Sequence, residues 1–227
     1  MSWILKFFTS SIGQKVIMSL TGLFLISFLL VHLIGNLQLL AGDNGEAFNI
    51  YSDFMSNNPL IQGISKGLYL FIVLHTIQGL MMAWKNKKAK ASKYAGGKAS
   101  GSWSSKNMAL LGTLVLAFML IHMGDFWYKI KFDSSSIAAI KYAGMDHEIK
   151  NVYAKVLETF KNPLFVVAYL VGLLALAFHL GHGFQSAFQT LGLRHKKYTP
   201  AINFLGLAFA ILIPLGFAIL PLFMYFN

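Results

Sequence analysis

The sequence contains no cysteine. That removes disulfides, thiolate-ligated haem, iron–sulfur clusters and covalently attached c-type haem from the chemistry of this chain. Charge is scarce as well: only 12% of the 227 residues are charged and 56% are hydrophobic. A soluble domain carries about 25% charged residues, so the composition points to a membrane protein. Acids are the scarcest charged class, eight against nineteen lysines and arginines. Internal repeats are absent, as are Rossmann, P-loop and hydrolase fingerprints.

What is present is a set of apolar runs. Five of them, at about 12–40, 62–84, 107–128, 163–191 and 201–226, reach the roughly 20 residues that a helix needs to cross a bilayer. The first is too long for a signal-peptide core and lacks a small-residue cleavage site. The expected fold is all-α, one integral membrane bundle of five transmembrane helices occupying 1–227. The net charge of +11 could suggest nucleic acid. Its lysines sit between apolar runs, where they set topology, so no nucleic-acid partner is expected.

Charge also orients the bundle. With a cytoplasmic N-terminus, the inner segments hold Lys6, Lys15, Lys85, Lys87, Lys88, Lys90, Lys93, Lys98, Lys106, Arg194, Lys196 and Lys197, and no carboxylate. All eight acids (Asp43, Glu46, Asp53, Asp125, Asp133, Asp146, Glu148, Glu158) then lie outside with seven lysines. The positive-inside rule favours this orientation, in a cytoplasmic membrane. The loop at 85–106 reads as a solvated topogenic segment attractive to anionic headgroups, or as a docking surface for a cytoplasmic partner. Segment 147–161 spaces Ile149, Val152, Tyr153, Val156 and Phe160 as an amphipathic helix lying at the interface.

Four of the apolar runs each carry a histidine well inside: His32, His75, His122 and His179. One such residue is as readily an interhelical hydrogen bond as a ligand. Four are not so easily dismissed. At 1.5 Å per residue, His32 and His122 lie roughly 12 and 9 Å from the outer helix ends. His75 and His179 lie roughly 13 and 18 Å from the inner ends. The histidines therefore sort into an outer pair, His32 with His122, and an inner pair, His75 with His179. Two pairs across two helices each suit two bis-imidazole haems. Each histidine also has a glycine within about a turn (Gly35, Gly79, Gly124, Gly183), where a flat macrocycle could approach the backbone; small-residue helix contacts are the plain alternative. Bis-histidine ligation fills both axial positions, which makes the haem an electron carrier, and the natural partner in lipid is a quinone.

The stretches SSIGQKVIMSLTGL, LLVHLIGNLQLLAGDNGEAFNIYSDFM, FIVLHTIQGLMMAW, MLIHMGDFW and AFHLGHGFQSAFQTLGL together resemble the cytochrome b membrane anchor of succinate:quinone oxidoreductases, succinate dehydrogenase and fumarate reductase. The likeness is to the single-chain, five-helix, dihaem form and covers essentially the whole chain. It implies two haems b, with His75 and His179 matching the ligands nearer the cytoplasm and His32 and His122 the distal ones. It implies a flavoprotein subunit with covalent FAD and an iron–sulfur subunit on the cytoplasmic face, facing the 85–106 loop and Arg194–Lys197. Electrons would pass between their clusters, the two haems and a quinone, expected to be menaquinone. The dicarboxylate site would belong to another subunit. Whether two such complexes dimerise is left open.

Other candidates are less specific. Asn36, Gln38, Asp43, Glu46 and Asp125 lie on the side expected for a distal quinone site, though each also suits an interfacial or helix-ending role. Ser11, Gln14 and Lys15 precede the first span, where a cation either pairs with a haem propionate or snorkels to the headgroups. His182, three residues after His179, points about 60° away from it and heads a polar stripe through Gln185, Ser186 and Gln189. The face of His179 holds Gly172, Ala175, Gly183 and Ser186. His179 is therefore read as the ligand, and His182 as a neighbour to a propionate or an interhelical hydrogen bond. His147 and His195 receive no role. Two alternatives remain: a dihaem cytochrome b of another quinone-linked dehydrogenase such as a hydrogenase, and a histidine-based metal or proton transporter. A transporter predicts ligands at one depth, with carboxylates.

Overall fold

Apolar runs in lipid must satisfy every backbone hydrogen bond internally, and helices do this segment by segment. The computed structural model describes residues 3–91 and 102–227 and is mostly helical. A short helix α1 (Trp3–Thr9) leads into α2 (Ser11–Asn36), which ends in a 3₁₀ turn, Leu37–Leu40. Ser10 caps α2, its Oγ accepting from Gly13 N at 3.0 Å. Next come α3 (Glu46–Asn57) and α4 (Pro59–Ala91). After α5 (Trp103–Lys106), α6 (Met108–His122) continues through a π-helical turn, Met123–Tyr128, into α7 (Lys129–Phe132). Strands β1 (Ala139–Ile140) and β2 (Ile149–Lys150) pair antiparallel, then α8 (Val152–Lys161), α9 (Pro163–Thr190) and α10 (Thr199–Phe226) complete the described chain.

Five stretches are long and apolar enough to cross a membrane: Ser11–Leu40, Pro59–Lys88, Met108–Phe132, Pro163–Thr190 and Thr199–Phe226. This is a multi-pass membrane protein. The five expected runs reappear, with α4 longer at both ends. Its extension through Lys85–Ala91 replaces the start of the expected loop, because alanine and lysine are good helix formers. Residues 92–101 of that loop, with Lys93 and Lys98, lie outside the described residues.

Four spans form a ring in which α2 packs on α4, α4 on α6, α6 on α9 and α9 back on α2, while α10 lies against α9 and α2. The two diagonals of the ring are thus α2 with α6 and α4 with α9. Burial is uneven around it. In the most apolar window of each span, 39% of residues are buried in α9 and 33% in α10, but 6% in α4 and 6% in the α6 span. Outward side chains such as Leu60, Leu164 and Phe204 are exposed, as lipid-facing residues are.

One end of the ring is basic. There the amine of Lys85 at the end of α4 donates to Gln14 Oε1 at the start of α2, at 2.9 Å. The opposite end is covered by α3, the strand pair and α8. Asn49, fully buried, knits this cap: its Nδ2 donates to Tyr142 Oη (2.8 Å) and Asn151 Oδ1 (3.0 Å), and its Oδ1 accepts from Tyr153 N (2.8 Å). The amphipathic segment 147–161 differs from expectation in two ways. Ile149 lies in β2, so the helix starts at Val152, capped by Asn151, and its apolar face turns into the protein. Val152, Val156 and Phe160 pack with Tyr169, Leu220 and Met224, because protein offers that face a closer-packed partner than lipid does.

Candidate functional site

The histidines of α2, α4, α6 and α9 meet across the ring's diagonals. His32 on α2 and His122 on α6 have ring centroids 5.8 Å apart with planes at 80°. His75 on α4 and His179 on α9 are 6.2 Å apart at 71°. Diagonal partners project toward the bundle axis, where neither has a bulky helix between it and the other. Two imidazoles on one metal, each bonded at about 2 Å, bring their centroids to roughly 6 Å.

The pairs lie at separate levels, and three helices give the spacing independently. On α2, Thr21 contacts His75, and His32 lies eleven residues further on. On α9, Tyr169 contacts His122 and precedes His179 by ten residues. On α6, Gly112 faces His179 and precedes His122 by ten. Each separation corresponds to roughly 15–17 Å along a helix axis.

Hydrogen bonds orient three of the rings, each through Nδ1 and none through Nε2. Thr21 Oγ1 lies 3.2 Å from His75 Nδ1 and, when it donates to the Ile17 carbonyl at 2.8 Å, is able to accept from an Nδ1–H tautomer. That tautomer leaves a lone pair on Nε2, the arrangement found in metal-bound histidines. Tyr169 Oη lies 3.2 Å from His122 Nδ1. Asn36 departs from the pattern. Its Nδ2 donates to the His32 carbonyl at 2.7 Å and approaches His32 Nδ1 at 3.3 Å, so an Nδ1–H tautomer requires the amide or the ring to turn. His179 Nδ1 is buried with no hydrogen-bond partner, a condition that disfavours the protein by about 1–3 kcal/mol unless something else engages the ring.

The surroundings admit a flat ligand in some places and not in others. Gly22 lies against His75 and Gly112 against His179, the would-be Cβ atoms falling 3.2 and 3.8 Å from the rings. Space beside Gly124 and Gly183 is open, and Gly79 meets only the Met18 methyl at 3.6 Å. Gly35 does not serve a macrocycle, because the Tyr51 ring occupies the place a side chain there would take. The His32–His122 pair is set among Phe28, Phe118, Phe126, Tyr169 and Phe217. The facing donor pairs and their spacing fit a bis-imidazole haem at each level; the orphaned His179 nitrogen adds to the fit at the His75–His179 level, whereas Asn36 and Gly35 at the His32–His122 level do not. No cluster of three or more histidines, cysteines or carboxylates suited to a bare metal ion occurs among the described residues.

The remaining candidates are employed differently. Asp43 accepts from Gly45 N at 2.9 Å and Ala47 N at 2.8 Å, opening α3, and the Ala47 bond foremost holds its carboxyl below the usual range. Glu46 is exposed in the first turn of α3, and Gln38 is half-buried in the 3₁₀ turn. Asp125, in the π-helical turn, accepts from Lys129 (2.8 Å) and Thr159 (2.7 Å) and lies 3.2 Å from Lys155 Nζ, joining the third span to α8. At the basic end Ser11 and Lys15 are exposed and Gln14 is held by Lys85. His182 is half-buried, with no hydrogen bond among the described residues.

Sequence reasoning missed Thr21, Tyr169, Gly22 and Gly112. The depth arithmetic could have found them, since Thr21 and Tyr169 are polar groups inside apolar runs at the level of the other helix's histidine. No protein-family model, curated protein or solved structure matches the chain.

Proposed function

We propose that this chain is a dihaem cytochrome b, the membrane anchor of a succinate:quinone oxidoreductase, lying in the cytoplasmic membrane with its N-terminus on the cytoplasmic side. The observation that carries the reading is the pair of facing histidines on each diagonal of one four-helix ring. His75 and His179 would hold the haem nearer the basic end, and His32 and His122 the one nearer the cap. Thr21 and Tyr169 fix the orientation of their imidazoles, and Gly22 and Gly112 keep the helix backbones clear of the rings. A haem held by the two histidines of a pair would supply one-electron transfer.

The sequence resemblance supports the rest: a flavoprotein and an iron–sulfur subunit on the basic face, and menaquinone exchanging electrons near the cap. Of the quinone candidates, the side chains of Gln38 and Glu46 make no hydrogen bond among the described residues that would compete with a ligand. The aromatic side chains of the spans around the His32–His122 pair would limit the access of water to it.

A reduced-minus-oxidised spectrum of the purified chain tests this. Two haems b per polypeptide are expected. His32→Ala and His122→Ala should abolish one spectral component, and His75→Ala and His179→Ala the other. Absence of haem, or loss of the same component in His32→Ala and His75→Ala, overturns the reading. Co-purification with a covalent-flavin subunit distinguishes the succinate-linked enzyme from a hydrogenase.

A further inference from the structure

At the basic end, the last turn of α9 and the first turn of α10 diverge around a cleft of about 150 Å³. Its polar lining is Gln185, Gln189, Arg194, Thr199 and Asn203; Thr199 Oγ1 accepts from His195 N at 2.9 Å, and the other four side chains make no hydrogen bond or ion pair among the described residues. Its apolar lining includes Phe188 and Ile202, which belong to the two membrane spans. The cleft therefore sits where the spans leave the bilayer. A polar rim over apolar walls at that depth matches a lipid, with the headgroup among the amides and the acyl chains alongside the helices.

Charge selects the class. Arg194, Lys196 and Lys197 are exposed within four residues of one another. No carboxylate lies on the segments that form this end, since all eight belong to the other side of the bundle. Guanidinium matches the geometry of a phosphate oxygen pair, and the amides of Gln185, Gln189 and Asn203 add neutral donors. A neutral quinone ring would make no use of the three cations.

We propose that this cleft is a binding site for an anionic phospholipid, its phosphodiester held by Arg194 with Gln185, Gln189 and Asn203. None of the four paired histidines lines the cleft.

Native mass spectrometry of the full chain, released from vesicles containing equal phosphatidylglycerol and phosphatidylcholine, tests it. Wild-type protein should retain one phosphatidylglycerol in preference to phosphatidylcholine, and Arg194→Gln should reduce that retention about tenfold, the equivalent of 1.4 kcal/mol. Lys87→Gln, which removes a charge at the same end but outside the cleft, should retain it as wild type does. Retention unaffected by Arg194→Gln, or equal for both lipids, overturns the proposal. Displacement of the lipid by millimolar inorganic phosphate alone would reduce the cleft to a general anion site and overturns it too. So does an Arg194→Gln variant that loses a peripheral protein subunit while keeping its lipid, because the turn then serves protein docking.

Discussion

At the residue scale, the chemistry of this protein turns on side chains that the sequence announces unequally. A histidine in an apolar run is conspicuous, because its ring must find a partner or forfeit its hydrogen bonds. Depth arithmetic then sorts four of them into the same two pairs that face each other across the ring. Thr21 and Tyr169 stay hidden, since a threonine back-bonded to its own helix and a tyrosine in a core look ordinary until the opposing helix is in view. Their roles are testable. Thr21→Val keeps the shape and removes the acceptor for His75 Nδ1–H, which should destabilise the protein by about 1 kcal/mol. It should shift the midpoint potential of only the component that His75→Ala abolishes. Tyr169→Phe should do the same for the component linked to His122. A uniform shift of both components in either variant would contradict the assignment of one supporting hydroxyl to each level.

At the element scale, the spans and the α8 helix of the cap were legible, and the rest of the cap was not. Twenty-residue apolar runs have one solution in lipid, so their existence follows directly from composition. The α3 helix and the strand pair escaped notice because they depend on tertiary partners, above all the buried Asn49 amide. Removing that amide in Asn49→Ala takes away the partner of Tyr142 Oη and Tyr153 N, while Asn151 Oδ1 keeps its bond from Ala154 N. Thermal unfolding should report a loss of roughly 2–3 kcal/mol. The start of α3 has its own pH dependence. The backbone bonds from Ala47 and Gly45 stabilise the ionised Asp43, so its folded-state pKa lies below the unfolded value. Their contribution is complete above the unfolded value and is lost as pH falls through the folded one. Hydrogen exchange over 43–50 should therefore accelerate in acid below the ordinary carboxylate range. Asp43→Asn should exchange faster at neutral pH, and the acid-dependent increment should vanish. An unchanged acid profile in that variant would remove Asp43 as its source.

At the scale of the whole molecule, the charge asymmetry seen in the sequence becomes two unlike ends: a basic, open one and a capped one holding all the acids. The absence of cysteine makes their sidedness simple to measure. A membrane-impermeant maleimide added to intact cells should label Ser135→Cys and leave Lys87→Cys unreacted until the membrane is opened; the reverse pattern would invert the proposed orientation. The spacing of the two histidine levels carries a further consequence. Roughly 15 Å is about half of a hydrocarbon core some 30 Å thick. On the proposed reading, an electron passing from one level to the other moves through about half of the transmembrane voltage. Each 100 mV then biases its position by about 1.1 kcal/mol, close to a sevenfold change in occupancy. The bundle would thereby act as a voltage-sensitive conductor, and the energised state of the membrane would help decide at which end of the molecule the electron rests.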